Sequence, residues 1–132
     1  MRRAGIDVAE PRRASWRERE ANEVVAAIGE RGVALAVDVK DAASVDAFFA
    51  RAAAAHGPID GLVTSAGIVS DGFLATTTTE QWDDVIETNL RGTMLSIRGV
   101  LRGMIARKSG SIVALSSPAR RRRSARSSPR PQ

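Results

Sequence analysis

Apolar and polar positions follow two different periods along this chain, and the periods alternate. Short apolar runs at residues 3–8, 33–39, 59–66 and 111–116 have the length and composition of buried strands. Between them, apolar residues recur at spacings of three and four, the period of an amphipathic helix. Strands that alternate with helices through short links favour a parallel sheet with right-handed crossovers. The pattern therefore predicts an open, doubly wound α/β sheet of about four strands and three helices.

The second and third predicted helices have clear boundary signals. Asp41 precedes the second helix as a candidate N-cap, and a His-Gly-Pro sequence at residues 56–58 ends it. Its apolar face carries Val45, Phe48, Phe49 and Ala52. The third helix spans residues 79–107, and Thr78 and Gln81 have the spacing of a capping box before it. One side of this helix carries Trp82, Val85, Ile86, Thr93, Ile97, Val100 and Met104.

Composition excludes several classes of protein. At 132 residues the chain is one domain, or part of one, and can bury a core. It has no cysteine and a single histidine, His56, so it offers no disulfide framework and no set of histidine ligands for a metal. No apolar run approaches the roughly 18 residues of a membrane span. No signal-peptide stretch follows the first basic residues, and a cytoplasmic location is expected.

The net positive charge of the chain comes from its end. Residues 118–132 hold six of the 20 basic residues and none of the 15 acidic ones, and they consist only of Pro, Ala, Arg, Ser and Gln. This composition predicts a disordered basic tail after a folded region at residues 1–117. Such a tail can contact the phosphates of nucleic acid or anionic lipid. It has no aromatic residue for base stacking, so a solvated tail without a nucleic-acid or membrane partner is the favoured interpretation.

Two acidic positions follow the first two predicted strands. Asp7 ends the first, where an acidic residue can accept hydrogen bonds from an adenosine ribose and favour NAD. Arg12 and Arg13 could instead favour the 2′-phosphate of NADP, and a plain turn aspartate is the third interpretation. Asp38 ends the next strand and could bond an adenine amino group while Val39 packs on the ring. A turn that leads into the following helix explains the same pair.

Small residues follow the third predicted strand. Ser65, Ala66 and Gly67 would let a ligand approach the backbone closely, or they form an ordinary turn. Ser116 and Ser117 end the last strand, at the edge where ligands of doubly wound sheets bind. A strand-end cap is the alternative for this pair.

Asn89 is a polar amide on the apolar side of the third helix. An amide left without hydrogen bonds in a buried site costs about 1–3 kcal/mol. Asn89 is therefore expected to tie the helix to neighbouring backbone, to hold a water in a site, or both.

Five stretches in this order resemble the short-chain dehydrogenase/reductase family over roughly residues 4–117. They are GIDVAE, LAVDVKD, DGLVTSAGI, TTEQWDDVIETNLRGT and GSIVALSS. The resemblance implies a Rossmann-type fold and hydride transfer between NAD (or NADP) and a small carbonyl or alcohol. It implies catalytic roles for Ser117, which would bond the substrate oxygen, and for Asn89, which would hold a water in a proton relay. It implies cofactor contacts from Asp7, Asp38, Val39, Ser65, Ala66 and Gly67, with Ser65 standing where the family has asparagine.

The chain also departs from the family pattern. It contains no tyrosine, and its two lysines, Lys40 and Lys108, lie far from Ser117 in sequence, so the Tyr-x-x-x-Lys pair that moves the proton is absent. The glycine-rich turn that holds the pyrophosphate, and the strand before it, are absent too. That strand is central in the family order 3-2-1-4-5-6, so an incomplete sheet with unpaired inner edges is expected.

These departures predict a chain truncated at both ends, with its tail encoded by a shifted reading frame. Its status as a working enzyme stays open on the sequence alone. A fragment of this kind could act without catalysis, by pairing through the helix at residues 79–107 with a second copy or with an intact relative.

Overall fold

A computed structural model describes the backbone of residues 14–116 and the side chains of residues 18–116. Its regular elements are the helices α1 (Ala14–Ile28) and α2 (Ala42–His56), the strand β1 (Gly61–Thr64), the helices α3 (Thr79–Ile86) and α4 (Gly92–Arg107), and the strand β2 (Ser111–Ala114). The predicted strand at residues 3–8 and the basic tail lie outside the described residues. None of the helices in this part of the chain is long and apolar enough to cross a membrane.

The sheet has one parallel pair of strands. Gly61 lies opposite Ser111, and Thr64 lies opposite Ala114. The connection from β1 to β2 runs through α3 and α4, and α4 packs on both β1 and α2. Thr64 is buried on the helix side, whereas Val63 is 58% exposed. Helices therefore cover one face of this sheet, and within the described part of the chain the other face is open.

The core lies between α2, α4, β1 and the segment before α2. The predicted apolar face of α2 is confirmed, because its four residues are all buried. The rings of Phe48 and Phe49 meet edge to face, with centroids 5.1 Å apart. The predicted N-cap is confirmed as well, since the Asp41 carboxylate accepts hydrogen bonds from the amides of Ala43 and Ser44.

The predicted strand at residues 33–39 is wrong for the described part of the chain. Val37 and Val39 are buried in the core. Among the residues described, however, the backbone groups of residues 33–37 have no hydrogen-bond partner. The reason is that β1 bonds to β2 along one edge, and no described strand bridges its other edge to residues 33–39. Within the described part of the chain, this segment is held by burial of apolar side chains and by no ladder, and two of the four predicted strands are seen.

The predicted helix at residues 79–107 is interrupted. A π-helical turn at Glu87–Arg91 joins α3 to α4, and the Gly92 amide bonds to the Glu87 carbonyl. The capping box of Thr78 and Gln81 is confirmed at the start of α3. The predicted apolar side is partly wrong. Val100 and Met104 are buried but Trp82 is 56% exposed. The wider turn shifts the phase of the helix, and it is α4 that packs on α2.

Candidate functional site

Asn89 and the backbone that follows β1 hold each other. The Asn89 Nδ2 donates to the Ile68 carbonyl at 3.0 Å, and the Ile68 amide donates to the Asn89 Oδ1 at 2.8 Å. A Cβ placed on Gly67 would lie 3.5 Å from the same Oδ1. The structure thus shows the first of the two roles expected for Asn89, tying the helix to neighbouring backbone. The water-holding role stays a prediction.

The position of Asn89 depends on the π-helical turn, in which it is the third residue. Single π turns inside helices are frequently found at functional sites. The Thr93 hydroxyl, one turn further on, donates to the Asn89 carbonyl at 2.8 Å. Hydrogen bonds therefore hold the Asn89 side chain to the loop after β1 and the Asn89 carbonyl to α4.

A second group of predicted residues meets around one small cavity. Ser65 and Ala66, at the carboxyl end of β1, line it together with Val39 and with Thr93 of α4. In the sequence, Val39 and the Ser65-Ala66 pair end two separate predicted strands and Thr93 lies on a predicted helix, and the fold brings them together. The cavity has a volume of about 20 Å³. This is room for about one water molecule and not for a nicotinamide ring.

Gly92 permits this closeness and is a residue that the sequence analysis missed. A Cβ at Gly92 would lie only 2.8 Å from the Val39 Cγ2. Glycine in the interior of a helix costs about 1 kcal/mol relative to alanine. At Gly92 the close approach of Val39 is the packing reason for this glycine.

Asp38 acts in the turn that leads into α2. Its carboxylate accepts a hydrogen bond from the Lys40 amide at 2.9 Å, and its own amide donates to the Ser44 Oγ at 2.9 Å. The Asp41 amide donates to the Asp38 carbonyl at 3.2 Å. These bonds support the turn interpretation of Asp38. Its contact with an adenine stays a prediction.

The turn at Asp38 is joined to α3 and to the π-helical turn by one polar contact each. The Lys40 Nζ lies 3.1 Å from the Asp84 carboxylate, and the Arg91 guanidinium donates to the Lys40 carbonyl. The segment that carries Asp38 is therefore bonded to α3 and to the π-helical turn that carries Asn89.

Thr88 is the buried polar group at this site that remains unexplained. It is 5% exposed, and its hydroxyl has no hydrogen-bond partner among the described residues. An unpaired hydroxyl in such a position costs about 1–3 kcal/mol. The sequence carries no signal that separates Thr88 from an ordinary helical threonine.

The two ends of the predicted site, Asp7 and Ser117, lie outside the described residues. The structure does place Ser116, which is exposed, just beyond β2. The Leu115 amide donates to the Thr64 carbonyl at 2.9 Å, so the carboxyl ends of both strands lie at one edge of the sheet. Ser116 and Ser65 therefore belong to the same edge.

The described residues fit only part of a dinucleotide. Ser65, Ala66 and Gly67 leave backbone accessible at the edge where a nicotinamide would bind. The α2 N-terminus is capped by Asp41, and the α3 N-terminus by Thr78. Within residues 14–116 no glycine-rich turn precedes a helix, so nothing there matches a pyrophosphate. Nor does this part of the chain gather three side chains able to hold a metal ion.

Comparison with protein families gives one match over nearly the whole chain. The model described as short chain dehydrogenase matches residues 3–129. An inactive 2-(S)-hydroxypropyl-CoM dehydrogenase 2 of Xanthobacter autotrophicus is 38% identical over 99 residues, which are 75% of this chain and 43% of that protein. The 3-oxoacyl-(acyl-carrier-protein) reductase FabG of Escherichia coli is 34% identical over 90 residues, 68% of this chain and 37% of the reductase.

Solved structures agree with the sequence relatives. A short-chain dehydrogenase from Streptomyces avermitilis superposes with a TM-score of 0.73 and 33% identity, over 85% of this chain and 39% of that one. A structure of ElxO with NADP bound superposes with a TM-score of 0.72 and 28% identity, over 85% of this chain and 44% of that one. The chain thus spans well under half the length of each of these proteins.

Proposed function

The chain belongs to the short-chain dehydrogenase family, and on this basis we propose that it carries part of the site of a nicotinamide-dependent oxidoreductase and that these 132 residues have no measurable turnover by themselves. The family uses NAD or NADP, and the reaction is hydride transfer between the nicotinamide and a carbonyl or alcohol carbon. The observation that carries the proposal is the paired bonding of Asn89 with Ile68, directly after Gly67. This contact joins the π-helical turn to the sheet edge at which such a cofactor would react.

In this proposal the chain's own residues have separate roles. Ser117 bonds the substrate oxygen and Asn89 holds a water of the proton path, as catalytic residues. Ser65, Ala66 and Gly67 contact the cofactor at the sheet edge. Asp7, Asp38 and Val39 contact its adenosine end, with NAD preferred to NADP.

The proposed inactivity rests on the chemistry that the chain does not contain. A general acid must lie within hydrogen-bond reach of the oxygen that gains or loses a proton. The 132 residues include no tyrosine to do this. Without this general acid, and with residues 14–116 matching only part of a cofactor site, we expect turnover too slow to measure.

Turnover is tested with the purified 132-residue chain, NADH or NADPH, and a panel of carbonyl substrates. The expected result is no loss of nicotinamide absorbance above a blank without protein. A rate that depends on substrate, and that is lost in a Ser117→Ala variant, would show that the chain is an enzyme and overturn the proposal.

Cofactor binding is tested separately by calorimetry with NAD and NADP. Because the described residues match no pyrophosphate, weak or undetectable heat is expected for both. A dissociation constant in the micromolar range for either one would contradict the incomplete site. An intact member of the family, titrated in parallel, shows that the method detects binding.

A second candidate function is supported by one surface of α4. Ile105 is 65% exposed and Leu101 is 40% exposed, beside a groove of about 500 Å³ that also includes Arg98, Arg102 and Asp46. Exposed apolar groups beside charged residues of both signs are found at interaction surfaces. This supports a non-catalytic role in which α4 pairs with a second copy or with an intact relative.

The α4 pairing is tested by light scattering of the chain alone and of a co-expressed pair with a relative. Ile105→Asp should return either complex to monomers. Val24→Asp, which changes an exposed apolar residue of α1, is the matched control and should not. If both variants behave alike, α4 is not the pairing surface.

Removal of residues 118–132 tests the tail, and unchanged binding to nucleic acid and to anionic vesicles is expected.

A further inference from the structure

The cavity beside the carboxyl end of β1 is small and is lined partly by hydroxyl groups. Its volume is about 20 Å³, and four of its lining residues, Thr64, Ser65, Thr93 and Ser96, carry hydroxyl groups. A buried water requires roughly 10–15 Å³ and two to four polar partners. The cavity is large enough for one water, and its hydroxyl groups are the candidate polar partners.

Two of these hydroxyls have already used their protons. The Ser96 Oγ donates to the Gly92 carbonyl at 2.9 Å, and the Thr93 Oγ1 donates to the Asn89 carbonyl at 2.8 Å. A hydroxyl has one proton to donate and two lone pairs that accept. Ser96 and Thr93 are therefore left with acceptor capacity alone.

Thr64 provides the complementary group. It is 7% exposed, and within the described part of the chain its hydroxyl forms no hydrogen bond. Thr64 therefore has a hydroxyl proton that a water in the cavity can accept.

We propose that this cavity binds one structural water, which accepts a hydrogen bond from the Thr64 hydroxyl and donates one to the Ser96 hydroxyl. The water links β1 to α4 at the point where residues 33–39 form no ladder with β1. It would thereby hold the strand end that carries Ser65, Ala66 and Gly67. No cofactor is required for it, so the proposal stands or falls separately from the proposed function.

The direct test is a high-resolution crystal structure of the full chain and of two variants. Thr64→Val keeps the shape of the side chain and removes the hydroxyl, whereas Thr64→Ser keeps the hydroxyl. Water density within hydrogen-bond distance of both hydroxyls is expected in the wild type and in T64S, and its loss is expected in T64V. A dry cavity in the wild type, or equal water density in T64V, overturns the proposal.

A double-mutant cycle in solution gives an independent measurement. T64V, Ser96→Ala and the double variant are unfolded in urea, and their midpoints are compared with the wild type. Because both side chains bind the same water, the double variant should lose less than the sum of the two single losses. Additive losses would mean that no water couples Thr64 to Ser96.

Discussion

Asn89 and Ile68 exchange two hydrogen bonds, one through each end of the Asn89 side-chain amide. The pairing copies the way two backbone strands bond to each other, although one partner is a side chain on a helix. Since the amide uses a donor and an acceptor at once, no other side chain of similar size can replace it without losing one of the bonds.

Replacement of Asn89 by alanine should loosen the loop after β1. Loss of two hydrogen bonds at an exposed site is expected to lower the free energy of unfolding by about 1–2 kcal/mol. Hydrogen exchange of the Ile68 amide should become faster at the same time. Asn22→Ala, at an exposed position of α1, is the control and should change neither quantity appreciably. Unchanged exchange at Ile68 in N89A would mean that the pairing does not persist in solution.

Replacement of Gly92 by alanine should destabilise the protein despite the better helix propensity of alanine. The new Cβ would lie 2.8 Å from the Val39 Cγ2, and overpacking of this kind costs about 1–3 kcal/mol. Urea unfolding measures the loss. In a Val39→Ala background the same change should cost less, because the Cγ2 that clashes is gone and only the Val39 Cβ, at 2.9 Å, remains close.

Gly103→Ala is the matched control for Gly92. A Cβ at Gly103 would meet the end of the Arg107 side chain at 3.2 Å, and that side chain can move. Here the helix propensity of alanine should dominate, with no loss or a gain of up to about 1 kcal/mol. Equal effects at the two glycines would contradict the packing of Val39 on α4.

The start of α3 should respond to pH through Glu80. Its own backbone amide, and then the Thr78 hydroxyl, donate hydrogen bonds that hold the pKa of Glu80 below its usual value. A carboxylate whose pKa is lowered by folding stabilises the protein above its unfolded pKa, and this contribution is lost as pH falls through the folded pKa. In an NMR titration, Thr78→Ala should raise the pKa of Glu80 toward its ordinary value. The same pKa in both proteins would exclude the contact.

Val37 should behave as a core residue although its segment forms no ladder with β1. Val37→Thr places a hydroxyl in an apolar core and is expected to lower the free energy of unfolding by about 1–3 kcal/mol. Val33→Thr, at a half-buried position of the same segment, should cost clearly less. Thermal or urea unfolding measures the stability that each variant loses. Similar losses in the two variants would show that Val37 is not in the core.

Some features of this protein follow from the sequence because they are local. The capped start of α2 at Asp41, its end at His56 and its buried face depend on residues within one or two turns of each other. The capping box of Thr78 and Gln81 is equally local. The family resemblance, which the comparisons confirm, rests on short stretches read in order along the chain.

Other features were decided only when distant parts of the chain met. Residues 33–39 have the composition of a strand, but a strand also needs a neighbour, and β1 takes β2 as its described partner. At the π-helical turn, Asn89 bonds to Ile68, 21 positions earlier, and Gly92 lies against Val39. Hydrogen-bond ladders and close packing are relations between segments, and no periodicity within a single segment contains them. The residue types at the candidate site were therefore readable from the sequence, whereas their partners and the cavity among them came from the tertiary structure.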